Sequence, residues 1–409
     1  MSSDSNSVVK FGIKVIKWSI DCVDANDQFH TPILLQDKNG PCPLIALINT
    51  LILQNELKAD SAGKGEVVTE LQLTKISRVN QLKQSLLTKA STAGDVTLQN
   101  ILGELGDLIL FYNQYNPVKL EIDALLDKLP LLHTGLNVNP NLITGLFQGD
   151  DLASVLFSLF ELKFRHGWTI DQVESDLSSY GGDNKNDKDG YSALVETMYE
   201  LQNFDAVQDY LLSDDTSPEV LSNQRLIRKW LDSNKTQLTK NGLDRLNMEL
   251  QKDVFIVFFR NNHFSTLFKK ADSELYLLIT DASFESKSGQ IIWQSLNSIS
   301  GKDDIFFSGS FFPILDIDQD VHQDDYGNNN DILLVRQLQE EEDAKLAEKM
   351  QAKYNSRSQG SSAKKSEQPK NGDNEVKTKK PKSKLWKRSE NSSTTATSSS
   401  KKDDKCCIV

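Results

Sequence analysis

Cys42 follows a turn-forming stretch, Asn39-Gly40-Pro41, and precedes an apolar run from Leu44 to Leu53 that has helical character. That order puts a thiol at or beside a helix N-terminus, with Pro43 suited to the first turn. Unpaired N–H groups and the positive end of the helix dipole favour thiolate there, and thiolate is the nucleophilic form of cysteine. Gln36, six residues upstream, carries an amide that can donate to a tetrahedral oxyanion during acyl transfer. The base for such chemistry is sought among five histidines, His30, His133, His166, His263 and His322. His263 follows a β-branched and aromatic run, 254–260, and the pair Asn261-Asn262, which tolerates positive φ and reads as a tight hairpin turn. It would open the return strand at a sheet end. A third apolar run, 275–280, ends in Asp281, whose carboxylate can orient an imidazole. Nucleophile on a helix, base on a strand and orienter on the next strand make a Cys-His-Asx arrangement, and together point to a cysteine hydrolase. Each member also has a plainer reading: Cys42 as a small buried hydrophobe, His263 as a hairpin residue bonded to backbone, Asp281 as a strand-end cap.

The remaining histidines read as structural. His30 falls in a polar loop before Gln36, His133 and His166 in apolar helical sequence, and His322 in an acidic linker. No histidine pair or Cys-x-x-Cys has the spacing of metal ligands, and no phosphate-cradling glycine loop is present, so no metal or cofactor is expected.

Three stretches resemble the MINDY family of deubiquitinating cysteine proteases. They are 36–47 around Cys42, then 132–139 with His166-Gly167-Trp168, and 257–266 with 277–281. The likeness runs from about Phe11 to about Phe312. It implies a papain-like fold that hydrolyses isopeptide bonds in polyubiquitin, with Cys42 as nucleophile, His263 as general base and Gln36 as oxyanion donor. By the same likeness the enzyme would prefer the proteasome-targeting linkage and trim chains from the distal end. Papain's own Cys-Gly-Ser-Cys-Trp type signature is absent, and Cys42 and His263 lie far apart, which a large helical insertion would explain. The expected fold class is therefore α+β, a papain-like domain with a helical insertion, followed by an amphipathic helix and a disordered basic tail.

Length and composition fit this organisation. The 409 residues exceed one ordinary core, and 38% apolar content fills a core of only part of the chain. Four cysteines, Cys22, Cys42, Cys406 and Cys407, form no disulfide framework, which suits a reducing, cytoplasmic setting. Residues 1–8 are expected to be disordered, the polar start 1–7 carries no signal-peptide core, and no 18-residue apolar run exists to span a membrane. The net charge of −12 combines a basic tail with an acidic body, since residues 356–405 hold 14 Lys and Arg against 6 Asp and Glu. An acidic body disfavours nucleic acid as a partner. The expected divisions are a catalytic domain over 9–317, an acidic linker over 318–330, a helix over 331–354 and a tail over 355–409.

The 331–354 helix lacks Gly and Pro and places apolar residues at i, i+4 spacing. Two units within it resemble ubiquitin-interacting MIU helices, one on Leu334 and Leu338 with the acids 340–342, the other on Leu346, Ala347 and Met350. Their 12-residue offset turns the two faces apart by about 120°, enough to hold two ubiquitins. A solvated coiled-coil-like helix is the rival reading. The last four residues, Cys406-Cys407-Ile408-Val409, fit a C-a-a-X box behind a lysine-rich run, so prenylation of Cys406 and contact with an anionic membrane surface are expected. For the whole chain the rival to a hydrolase of polyubiquitin is a catalytically silent polyubiquitin reader; a cysteine hydrolase of another acyl substrate stands behind both.

Overall fold

The computed structural model describes residues 8–20, 28–36, 42–147, 149, 151–171, 185–282, 290–301 and 304–314, with backbone alone at Cys42 and at 185–189. All of these fall within a unit spanning residues 1–321. His322, the 331–354 helix with Leu334, Leu338, Leu346, Ala347 and Met350, and the tail with Cys406 lie outside the described residues. So do residues 172–184.

Strand β1 (Lys10–Trp18) pairs antiparallel with β2 (Phe29–Leu34) on one side and β3 (Asp95–Thr97) on the other, giving a three-stranded sheet of order β2-β1-β3. Burial along β1 alternates within each half but changes face after Ile13, so Phe11 and Ile13 join one core cluster and Ile16 and Trp18 another. His30 and Pro32 are part of β2, so the polar loop expected at His30 is a strand. Pro32 fits there because β2 is an edge, where a missing N–H costs no ladder bond.

Helix α1 (Cys42–Gly63) is buried nearly all round, from Leu44 to Leu53, and runs through the centre of the domain. Each of its fully buried leucines contributes roughly 1.5–3 kcal/mol of burial free energy. Helix α2 (Glu70–Thr92) starts at a capping box between Thr69 and Gln72 and buries the stripe Ile76, Val79, Leu82 and Leu86. Gly94, at φ 74°, turns the chain into β3 and then α3 (Leu98–Tyr115). Gly103 and Gly106 lie inside α3. A Cβ at Gly106 would come only 3.6 Å from Leu126 of α4 (Ile122–Lys128), ordinary contact distance.

Short helices α5 (Leu131–Thr134) and α6 (Leu152–Leu159) lead to β4 (Phe164–His166). A helical layer follows: α7 (Lys185–Leu201), α8 (Phe204–Leu212), α9 (Pro218–Ser233) and α10 (Lys240–Glu249). Helices α7, α8 and α9 gather around Trp168 and Trp230, whose rings stack with centroids 5.9 Å apart. Helix α10 approaches β4 so closely that a Cβ on Gly242 would fall 1.8 Å from the Gly167 carbonyl oxygen, so only glycine fits.

The second sheet has order β10-β9-β8-β7-β6-β5-β4. Its central members are β5 (Val254–Arg260), β6 (His263–Ala271) and β7 (Glu274–Leu278), followed by β8 (Trp293–Ser295), β9 (Phe306–Phe307) and β10 (Pro313–Ile314). All neighbours are antiparallel except β4 and β5, whose parallel pairing requires the α7–α10 crossover between them. Both faces of the sheet centre are covered. Val257, Phe259 and Phe264 pack with α1, while Ile256, Phe258 and Leu267 pack with Leu246 of α10. That double burial explains why β5 reads as a continuous apolar run. The mixed helix and sheet content is α+β.

Candidate active site

Three side chains near the middle of α1 fix the helix to the strands around it. The Asn49 carboxamide donates to the Leu34 carbonyl at 3.0 Å and accepts from the Leu34 N–H at 2.8 Å, tying α1 to β2. Thr50 Oγ1 lies 2.9 Å from Thr266 Oγ1 on β6. Gln54 Oε1 accepts from the Phe255 N–H at 2.7 Å, and Phe255 pairs with Phe268 of β6. Moving from Thr50 to Gln54, about 6 Å along the helix, thus matches moving from Thr266 to Phe268, about 7 Å along the strand. Helix and strand run in the same sense. Counting back about 12 Å from Thr50 reaches the backbone of Cys42, and about the same length back from Thr266 reaches the turn before His263. The start of α1 and the start of β6 therefore lie at one end of the domain.

His263 opens β6 after Asn261 and Asn262, both with positive φ (52° and 58°), the two-residue turn expected there. Alternation along β6 puts Phe264, Thr266 and Phe268 toward α1 and His263 with Ser265 on the other face. Any approach of its ring to the start of α1 runs around the rim of the sheet. The ring is half-buried, and burial holds its pKa below the ordinary histidine value, so the imidazole is neutral and able to accept a proton at neutral pH. Among the described residues neither of its ring nitrogens has a hydrogen-bond partner.

Gln36 reaches the same end through its backbone. Its N–H donates to the Thr280 carbonyl at 2.7 Å, and its carbonyl accepts from the Ala282 N–H at 3.1 Å, forming a parallel bridge between Gln36 and Asp281. Strands β6 and β7 pair Leu267 with Leu277. Continuing that register past the end of β7 brings Asp281 level with His263. Gln36 lies two residues past the end of β2, and its bridge to Asp281 is what fixes its backbone at this end. The backbone thus gathers Gln36, Cys42, His263 and Asp281 at one end of the fold. A thiol carried at that helix start, a neutral imidazole and a nearby carboxamide are the groups that thiol-mediated acyl transfer requires.

The other histidines are structural where described. His166 is fully buried on β4, not in a helix as its apolar surroundings suggested. Its Nδ1 accepts from the Trp168 N–H at 3.1 Å and its Nε2 donates to the Leu146 carbonyl at 3.0 Å. Burial pushes its pKa down to about 4, so it is neutral. His133 packs edge-on near Phe11, and His30 is exposed. Among the described residues no cluster of His, Cys, Asp and Glu has the geometry of a metal site. Asn49 and Thr50 went unremarked in the sequence; the signal for them was a polar pair inside the apolar run 44–53.

Comparison with known proteins gives the family. The MINDY deubiquitinase family matches residues 9–311. The chain is 32% identical to ubiquitin carboxyl-terminal hydrolase MIY1 of Saccharomyces cerevisiae over 340 residues, covering 82% of this chain and 84% of that protein. It is 31% identical to mouse ubiquitin carboxyl-terminal hydrolase MINDY-1, covering 69% of this chain and 51% of that protein. Against human MINDY-2 it is 28% identical, covering 71% of this chain and 39% of the relative. The chain belongs to the MINDY family and is a cysteine-type deubiquitinase.

Proposed function

We propose that this chain cleaves isopeptide bonds in polyubiquitin by a papain-like thiol mechanism in which Cys42 attacks, His263 moves the proton and Gln36 holds the oxyanion. The carrying observation is the convergence at one end of the start of α1, the start of β6 and the Gln36–Asp281 bridge. His263 takes the thiol proton of Cys42, and the thiolate adds to the carbonyl of a ubiquitin C-terminal glycine. The Gln36 amide and the Cys42 N–H donate to the resulting oxyanion. Its collapse expels the lysine amine, which takes the proton from His263, and water then hydrolyses the thioester. Asp281 is assigned to orienting the imidazole, in keeping with its level opposite His263.

The preferred substrate is the proteasome-targeting linkage, trimmed from the distal end. The 331–354 helix, through Leu334, Leu338, Leu346, Ala347 and Met350, raises the local concentration of ubiquitin units. The protein works in the cytoplasm, and prenylated Cys406 with its basic flank brings a fraction to anionic membrane surfaces. The test is a gel assay of the full chain against polyubiquitin of each linkage, beside Cys42→Ala. Wild type shortens chains and the variant leaves them intact. Chains bound but uncleaved by wild type would overturn the enzymatic reading and leave a polyubiquitin reader.

A further inference from the structure

Strand β2 is the outer strand of its sheet, and successive residues point their backbone groups alternately inward and outward. Leu35 points inward, its N–H donating to the Gly12 carbonyl at 2.8 Å. Leu34 and Gln36 therefore present N–H and C=O to the outer edge, where no further strand lies among the described residues. Two different elements fill those adjacent edge positions. The Asn49 carboxamide from α1 takes both backbone groups of Leu34, and the 280–282 segment takes both of Gln36.

Asn49 is fully buried in the apolar run of α1, flanked by Leu47, Ile48, Leu51 and Ile52, with Thr50 the other buried polar residue of that run. A carboxamide in such surroundings is tolerated only when bonded, and here both of its oriented bonds go to one residue, as a neighbouring strand's would. Leu34 is two residues from Gln36, and Asn49 is two helical turns from Cys42. The clamp therefore fixes the strand bearing the proposed oxyanion donor against the helix bearing the proposed nucleophile. The structure assigns to Asn49 the part of a positioning residue that sets where the Gln36 amide stands relative to the thiol. This assignment rests on Gln36 acting as the oxyanion donor. The adjacent Thr50, bonded to Thr266, makes the corresponding tie to the strand bearing His263.

The test is a double-mutant cycle on the full chain, with kcat and KM for polyubiquitin cleavage measured for Gln36→Ala, Asn49→Leu and the double variant. Peptide-resolved alkylation of Cys42 by iodoacetamide and thermal unfolding accompany it. Losing an oxyanion donor costs about 10²–10³ in kcat. Asn49→Leu is expected to lower kcat about tenfold or more at little-changed KM, and the double variant to stay close to Gln36→Ala alone, because both act through one amide. The alkylation rate of Cys42 should hold steady, since it reads the thiolate and not the oxyanion. A double variant whose loss equals the product of the single losses, or alkylation that falls in step with kcat, would overturn the assignment and leave Asn49 a packing residue. If Gln36→Ala retains full kcat, the oxyanion reading itself is what fails. Should Asn49→Leu lose cooperative unfolding, Asn49→Asp repeats the cycle: it keeps the acceptor for the Leu34 N–H and loses the donor. Loss of the fold in both variants would assign Asn49 to folding alone.

Discussion

Two histidines sit two strands apart in the same sheet, and burial lowers the pKa of both, yet their rings are engaged differently. His166 on β4 has each ring nitrogen bonded to backbone and Phe147 edge-on to its ring. His263 on β6 stands at the rim, half-buried, with neither nitrogen engaged among the described residues. Desolvation alone, then, does not mark a catalytic base. What separates the two is whether the imidazole's polar atoms are already committed. His166 links loop 141–147 to the strand and to Trp168; His263 is held by its backbone and leaves its ring for another partner.

The sharpest way to break this contrast is to replace each in turn. His263→Asn should lower kcat by about 10²–10⁴, the usual contribution of a general base, with little change in thermal stability. His166→Gln should leave kcat nearly intact while lowering the melting temperature. Parallel rate and unfolding measurements decide it, and equal activity losses would erase the distinction.

Acid should then expose His166. Its folded pKa, about 4, lies below the unfolded value near 6.5, so the unfolded chain binds the extra proton between those limits. Stability is complete above pH 6.5 and declines by about 3 kcal/mol as pH falls toward 4. Denaturant titrations at stepped pH should show that slope in wild type and a shallower one in His166→Gln. The lowered pKa of His263 acts in the same direction on stability and places the acidic limb of kcat/KM below pH 6.5.

The smallest effect tests the backbone that presents His263. Asn262 holds φ at 58°, which a β-branched residue resists, so Asn262→Val should cost roughly 1–2 kcal/mol of stability. A wild-type unfolding midpoint in that variant would show that the turn carries no such constraint.

The turn before His263 was readable in the sequence because Asn-Asn tolerates the positive φ its type demands. The start of α1 was readable because Asn-Gly-Pro stops one element and an apolar run opens the next. His166 was misplaced for an equally local reason. Strand β4 is three residues long, too short to show a period, and it becomes a strand only by pairing with Val257–Phe259, some ninety residues onward. Gly103 and Gly106 sit inside α3 at a propensity cost that is visible in sequence, while the packing of α3 against α4 is not. The polar loop expected at His30 is a strand because of pairing that the local sequence does not show, since β2 is defined by its register with β1. Asn49 belongs with these cases: its role depends on which backbone groups a distant strand leaves bare.

That bare edge of β2 also bears on how the protein is lost as well as how it works. Outer strands with open N–H and C=O groups recruit strands from other chains, and cells and test tubes see the outcome as aggregates. Here the vulnerable stretch is shielded by one side chain from α1 and by a three-residue span after β7, neither of which is a full strand. Heating or mutation that loosens α1 would uncover Leu34, two residues from Gln36, so inactivation and self-association should share a single onset, with precipitation following the first loss of turnover closely.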